Sequence, residues 1–312
     1  MAASTKSNRT HPPWRSTMSP TPSDPSGTAS LDSYLDSWAP APVRDEDPLH
    51  VGPVAALSAV FDLPGSAAEA GDPIPPLWHW LHFLNWPAHS ELGRDGHPAN
   101  GHFLPPIPHR QRMWAGGRCE VTEPLRLGEP AERLSSLSSV TSKRGRTGEL
   151  LFVTERREFR QGGRTRLVEE QDIVYRSGRS TAQHPDKIDE SAPPRTDSPW
   201  QLPLRPDPAL LFRFSALTAN AHRIHYDAPY CRNDEGYPGL VVHGPLLVLL
   251  MLELPRRHAS GRQARSLSYR LRRPVFAGER ISACGTPAGG GAQLSIATHR
   301  EAQHATAEVS FG

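Results

Sequence analysis

The spacing of apolar positions follows the same course twice along the chain. Over residues 76–84, Leu77, Trp80, Leu81 and Leu84 recur at i, i+3, i+4 and i+7, which predicts a helix with one apolar stripe. In the second half Leu246 to Leu252 is apolar without a break, which predicts a helix wrapped on every side, with Pro245 in its first turn. Each predicted helix is followed by a Pro-x-x-x-Gly-Glu turn, Pro124 to Glu129 and Pro274 to Glu279, leading into residues of strand character. Two strands, Leu150 to Arg160 and Thr165 to Tyr175, then flank Gly162 and Gly163. Later, Arg280 to Gly285 and Ala292 to Arg300 flank the Gly289–Gly291 turn, and Ala305 to Phe311 adds a closing strand.

A buried helix followed by a curled antiparallel sheet is the hot-dog plan. Two copies predict an α+β double hot-dog, with two antiparallel sheets each wrapped around a central helix. The expected divisions are a disordered leader over 1–30, a non-catalytic N-terminal hot-dog over 31–176, a Pro-rich linker over 177–206 and a C-terminal hot-dog over 207–312. The leader is rich in Ser and Pro and free of acid until Asp24. That composition fits a disordered tail and also a mitochondrial transit peptide. Between the first predicted helix and its sheet, residues 87–109 form a long Pro-, Gly- and His-rich insertion. Phe103, Leu104 and Ile107 would be awkward in water, so this insertion is read as a lid.

Composition narrows the classes of function. Lys+Arg 35 against Asp+Glu 33 leaves no overall basic field of the kind nucleic acid requires. Cys119, Cys231 and Cys284 are odd in number and scattered, which argues against a disulfide framework or a zinc ribbon and for a reducing, cytoplasmic compartment, or the mitochondrial matrix in a eukaryote. The longest apolar run is far shorter than the ~20 residues a bilayer span needs, so no membrane association is expected.

Reactive groups gather in one place. Between Phe214 and Asp227 stand Ser215, Thr218, Asn220, His222, His225, Tyr226 and Asp227, among apolar anchors that include Leu217 and Ile224. Imidazole moves protons near neutral pH, so His225 is the candidate acid/base group. Gly244, opening the second predicted helix, offers backbone N–H groups to a developing negative oxygen. His243 either supports that oxyanion site or caps the helix entrance. Arg223, beside His225, is placed to meet a substrate carboxylate, and Tyr226 joins it as a substrate contact. Asp227 is expected to cap a helix beginning at Ala228. Arg270, Arg272 and Arg273 are either a solvated face or readers of the phosphates of coenzyme A, with Arg270 and Arg272 on one face of a strand. His79 and His82, like His222 and His225, stand three apart without further ligands at convincing spacing, so no metal is expected.

The run from Ser215 to Asp227, with Gly239 to Leu247, resembles the R-specific enoyl-CoA hydratase (hydratase 2, MaoC-like) family. Residues 75–81, 92–98, 103–108, 112–118 and 171–175 are similar to its dicarboxylate branch, which comprises 3-methylfumaryl-CoA (mesaconyl-C4-CoA) and itaconyl-CoA hydratases and mitochondrial 3-hydroxyacyl-thioester dehydratases of type 2. The resemblance spans roughly 31–311. It implies a hydro-lyase on a dicarboxylic enoyl-CoA, with no cofactor beyond the coenzyme A carried by the substrate, acting as a monomer or homodimer. The family motif pairs an Asp with a His five residues later; here those positions hold Asn220 and His225. Asn can orient a water but cannot take its proton. A hot-dog thioesterase and a non-catalytic acyl-CoA-binding subunit remain as rivals.

Overall fold

The computed structural model describes residues 30–107, 110–145, 148–177, 184–185 and 187–312. The expected leader, apart from Ser30, lies outside the described residues, as does part of the expected linker. Among the described residues no helix is long and apolar enough to cross a membrane.

The described strands form one antiparallel sheet in the order β1-β3-β4-β5-β2-β7-β10-β9-β8-β6. The N-terminal half contributes β1 (Val43–Asp47), β2 (Arg110–Val121), β3 (Ala131–Gly145), β4 (Gly148–Gln161) and β5 (Arg164–Ser177). The C-terminal half contributes β6 (Trp200–Leu204), β7 (Ala264–Leu271), β8 (Ile281–Ala288), β9 (Gly291–Ala297) and β10 (Ala305–Phe311). Each half repeats the same order of strands. They join where β2 pairs with β7, in the register Gly117↔Tyr269 and Cys119↔Leu267. The two expected sheets are thus two halves of one.

Helices fill equivalent slots in both halves. An edge strand is followed by a ten-residue helix, α1 (Val51–Val60) in one half and α2 (Pro208–Leu217) in the other, and these two helices pack together. A one-turn helix, α3 (Ala228–Tyr230), leads towards the central helix α4 (Gly244–His258). Residues 246–255 of α4 are all buried, because the helix lies against β6, β8, β9 and β10. The predicted helix over 246–252 is therefore present and runs on to His258. Its charged Glu253 is buried and tied to Arg256 on the next turn.

The N-terminal counterpart differs from expectation. A 3₁₀ turn, Trp78–Leu81, occupies the slot where Leu77 to Leu84 predicted a helix. Leu77 (φ 64°) and Phe83 (φ 55°) both sit in the left-handed region and end the helix on either side. Trp80 and His79 are turned instead onto the buried carboxylate of Glu169, at 2.7 and 3.1 Å. His82 faces Asp47, so His79 and His82 each have a separate carboxylate and do not share a site. The expected linker also carries more structure than its Pro content suggested, since its last residues form the edge strand β6 on β8.

The insertion expected to be a lid is fastened at two points. Leu104 and Ile107 pack with Leu31, Leu151, Val153, Ile173 and Tyr175 in a cluster of their own. Its tip, residues 93–97, reaches the C-terminal half.

Because α4 is the centre of the main core, truncating it should be costly. Leu249→Ala removes a fully buried side chain, and a loss of about 2–5 kcal/mol is expected in urea or thermal unfolding.

Candidate active site

The site is assembled where the segment after α2 crosses the entrance of α4. Asp207 caps α2 by accepting from the Leu210 N–H, and the helix ends at Thr218. Ala219 then turns through φ 50°, and Asn220 N–H bonds back to the Ser215 carbonyl. This reversal throws residues 220–227 across the helix entrance. Asn220 Oδ1 accepts from the His222 N–H at 3.0 Å, which leaves its Nδ2 as a donor. Val241 N–H bonds to the Ile224 carbonyl, so the segment is pinned to the chain just ahead of α4.

Three histidines gather in this corner. His225 lies over His243 with ring centroids 3.6 Å apart and planes 19° from parallel, and His222 meets His225 edge-on at 5.6 Å. His225 Nδ1 is 2.8 Å from the Val241 carbonyl. A carbonyl only accepts, so Nδ1 carries the hydrogen and Nε2 keeps its lone pair. Beneath it, His243 Nε2 is 2.9 Å from Ser215 Oγ, and its Nδ1 has no partner among the described residues. His243 is the N-cap residue of α4, but its side chain does not cap the helix. Its place is under His225.

Burial keeps the stack uncharged. It pushes the pKa of His225 down to about 4, against the opposing pull of the Val241 carbonyl and helped by His97. Burial is also the chief cause of the fall at His222, to about 2, with His97, His225 and Arg112 adding to it and Asp95 opposing. His243 is held well below its ordinary value, by burial first and then by its two neighbours. The site therefore presents a neutral imidazole at physiological pH.

Gly244 begins α4 directly after His243. A Cβ there would collide with Leu271 Cδ1 and meet the Trp114 ring at 3.4 Å, so the helix entrance is tight between β2 and β7. The first N–H groups of a helix have no partner within it. In α4 that of Leu247 is taken by the His243 carbonyl, at 3.2 Å.

Other expected contacts are placed differently. Arg223 is not free for a ligand. Its Nε and Nη2 donate to Asp227 Oδ2 at 3.0 and 2.7 Å, its Nη1 bonds the Arg94 carbonyl, and its guanidinium lies 4.2 Å over the Tyr230 ring. Asp227 does cap α3, accepting from the Tyr230 N–H at 3.0 Å. Tyr226 is half exposed and donates to the Ala221 carbonyl. Arg270, Arg272 and Arg273 are all exposed. However, β7 ends at Leu271, so Arg272 does not share a strand face with Arg270, and Arg273 lies 3.5 Å from Glu301.

Two lid residues and one strand residue were assigned no role from sequence. His97 lies over His222 at 4.0 Å, and its Nδ1 is 3.1 Å from Asp95 Oδ2. Arg112 on β2 is close enough for its charge to act on His222, and it makes no ion pair among the described residues. A carboxylate oxygen of Asp95 and one nitrogen each of His97 and His222 lie within 4.8 Å of one another. Asp95 is bonded to His97 through both its oxygens, and the two rings overlap at 36° instead of pointing at a common centre. The cluster has the form of an oriented imidazole.

The hydroxyacyl-thioester dehydratase type 2 family profile matches residues 77–277, which include the lid, the histidine stack and α4. The chain belongs to this family. Its members are hydro-lyases of the MaoC-like, hot-dog kind. A mesaconyl-C4-CoA hydratase from Chloroflexus aurantiacus is 45% identical over 240 residues, 77% of this chain and 84% of that one. The mitochondrial hydroxyacyl-thioester dehydratase type 2 of Schizosaccharomyces pombe is 28% identical over 68% of this chain and 77% of its own. Among solved structures, a MaoC-like dehydratase from Phytophthora capsici superposes with a TM-score of 0.64 at 13% identity, covering 91% of this chain and 99% of that one. HtdX of Mycobacterium tuberculosis superposes at 0.60 and 16% identity, covering 87% and 100%. The double hot-dog fold is thus that of the family.

The neutral stack makes stability depend on pH. The unfolded chain binds protons at histidine below about 6.5, while folded His225 resists until about 4. Its contribution is complete above 6.5 and is lost as pH falls towards 4. Taken alone, this shift corresponds to about 3 kcal/mol. Urea midpoints should therefore decline across that window, and His225→Gln should flatten part of the decline.

Proposed function

We propose that this member of the family adds water to a dicarboxylic enoyl-CoA, with 3-methylfumaryl-CoA giving a citramalyl-CoA as the first substrate to test. The observation that carries the reading is the locked tautomer of His225, whose Nε2 lone pair stands beside the entrance of α4. Hydration needs a base for the proton of water and a donor for the oxygen of the thioester. His225 Nε2 supplies the first and the Gly244 N–H the second, while Asn220 Nδ2 holds the water or the thioester oxygen. The acyl chemistry is supported by the relative from Chloroflexus aurantiacus, which bears that substrate in its name.

A second carboxylate on the substrate needs its own cation. Arg223 is committed to Asp227, whereas Arg112 has no acidic partner among the described residues and lies near His222, so Arg112 takes the role of carboxylate reader. The exposed Arg270 and Arg272 remain as contacts for the coenzyme A phosphates, made equally in ground and transition states. No metal or redox group enters this reading.

The test is a panel of enoyl-CoA esters with the purified chain, following loss of enoyl absorbance and release of free thiol separately. Thiol release without hydration would replace the reading with a thioesterase. His225→Ala should lower turnover by about 10²- to 10⁴-fold, with Asn220→Ala milder because it removes positioning and no proton acceptor. Arg112→Gln should penalise the dicarboxylic substrate far more than crotonyl-CoA, and an equal penalty on both would remove it as the reader. Arg270→Gln should raise KM with little change in kcat.

A further inference from the structure

Addition of water moves two protons. One leaves the water as its oxygen bonds to C3, and another arrives at C2. Among the described residues of the C-terminal half, His225 is the one group at this corner free to serve. Asn220 does not titrate, His243 lies under His225 and is bonded to Ser215, and Asp227 is held by Arg223 and the N-terminus of α3. His222 touches both His97 and His225, and burial first, then those two neighbours, pushes its pKa down to about 2, so it holds no imidazolium proton to give.

We propose that the second proton-transfer group comes from the other half of the chain: His97, oriented by Asp95 on the lid, works opposite His225. The inference rests on the hydratase reading and names the residue that answers for Asn220.

The lid tip is built to hold this imidazole. Gly93 N–H bonds to the His97 carbonyl at 2.6 Å, and Gly96 N–H to the Gly93 carbonyl at 3.0 Å, closing a tight turn. Gly96 has φ 87°, and a Cβ on it would run into the Ala221 carbonyl, so the turn seats directly on the active-site segment. Arg223 N–H bonds to the Asp95 carbonyl at 2.8 Å and Arg223 Nη1 to the Arg94 carbonyl at 3.1 Å. Arg94 pairs with Asp234 on the far side. Arg223, expected to read substrate, is the clasp of the lid.

Orientation follows from Asp95. Its Oδ2 accepts from His97 Nδ1 and its Oδ1 from the His97 N–H, so ring and backbone are fixed together and Nε2 is left to exchange protons. The groups facing His97 are Asp95 on its own turn and His222 across from it, with Arg112 nearby on β2; those facing His225 are His222 and His243. His97 keeps some contact with solvent, 23% of its side chain, whereas His225 is buried. Roles follow from that difference. Neutral His225 Nε2 takes a proton from water as the oxygen pair forms the O–C3 bond. The C2=C3 π pair passes to C2 and the thioester oxygen, next to the Gly244 N–H. His97, entering as the imidazolium with its Nδ1–H on Asp95 Oδ2, gives its Nε2–H to C2 and becomes neutral; it then takes a proton from solvent while His225 returns its own. The net change is one water added.

The experiment uses the full chain with 3-methylfumaryl-CoA and crotonyl-CoA. His97→Gln should lower kcat by about 10²- to 10⁴-fold with KM changed less than about threefold, erase the alkaline limb of the kcat/KM profile and keep the acid limb. Added imidazole should restore part of the rate to His97→Ala but none to Arg94→Ala, which only loosens the tip. Asp95→Asn should fall between His97→Gln and wild type, as a positioning residue does. Asn220→Asp placed in the His97→Ala chain should recover turnover, because it returns a titrating group to the motif.

His97→Gln within threefold of a wild type that does hydrate would overturn this inference and leave the hydratase reading standing. The inference also falls if both limbs survive in the variant, or if a chelator abolishes wild-type activity and zinc restores it. A wild type that hydrates no enoyl-CoA overturns both.

Discussion

A helix that is apolar on every side cannot stand at a surface. Residues 246–255 of α4 are buried without exception, so the sheet must curl around it, and the rest of the C-terminal half takes its place from that demand. The ends of such a helix are its only polar parts. At one end Arg256 neutralises the buried Glu253. At the other, Gly244 emerges between Leu271 and Trp114, on two strands that belong to different halves. The reactive corner is thus the place where a wrapped helix must open towards polar partners.

The same slot in the N-terminal half is nearly empty of helix. There the one-turn 78–81 segment delivers His79 and Trp80 to Glu169, a carboxylate that His79, the charge of Arg157 and the Gln171 amide hold down to about 2 despite its burial. What the half lacks in helix it has in loop, and the loop crosses to the other side. One half carries the wrapped helix and the stacked imidazoles; the other carries the clasped lid and β2 with Arg112. Neither set of groups is complete alone.

Much of this is legible in the sequence where periodicity is strong. The unbroken run Leu246–Leu252 marks α4, and the glycine turns mark where β4 meets β5 and β8 meets β9, although β8 runs on to Ala288 and β9 stops at Ala297, short of the expected Arg300. The repeated Pro-to-Glu turns mark the duplication. Over 76–84 the stripe misleads: a 3₁₀ turn between two left-handed residues buries Leu77 and Leu81 as expected, but adds Trp78, His79, His82 and Phe83 and leaves Trp80 and Leu84 half-buried. His225, Asn220 and Gly244 are visible by type and order. Arg223 is misleading because i,i+4 pairing with Asp227 competes with any ligand, and sequence alone does not weigh the two. His97 and Asp95 are out of reach for a different reason: more than a hundred residues separate them from His222, and only folding shows that they meet.

The seam between β2 and β7 has one further consequence. In a pair of separate hot-dog subunits, the meeting of lid and helix would be a bimolecular event, lost on dilution. Here both sides are one covalent chain and one continuous sheet, so the encounter is intramolecular and its effective concentration is set by the connection between the halves. The fusion also breaks symmetry. A change in residues 87–109 alters one corner of the molecule and leaves its duplicate untouched, which frees the lid to specialise without a second site having to tolerate the same change.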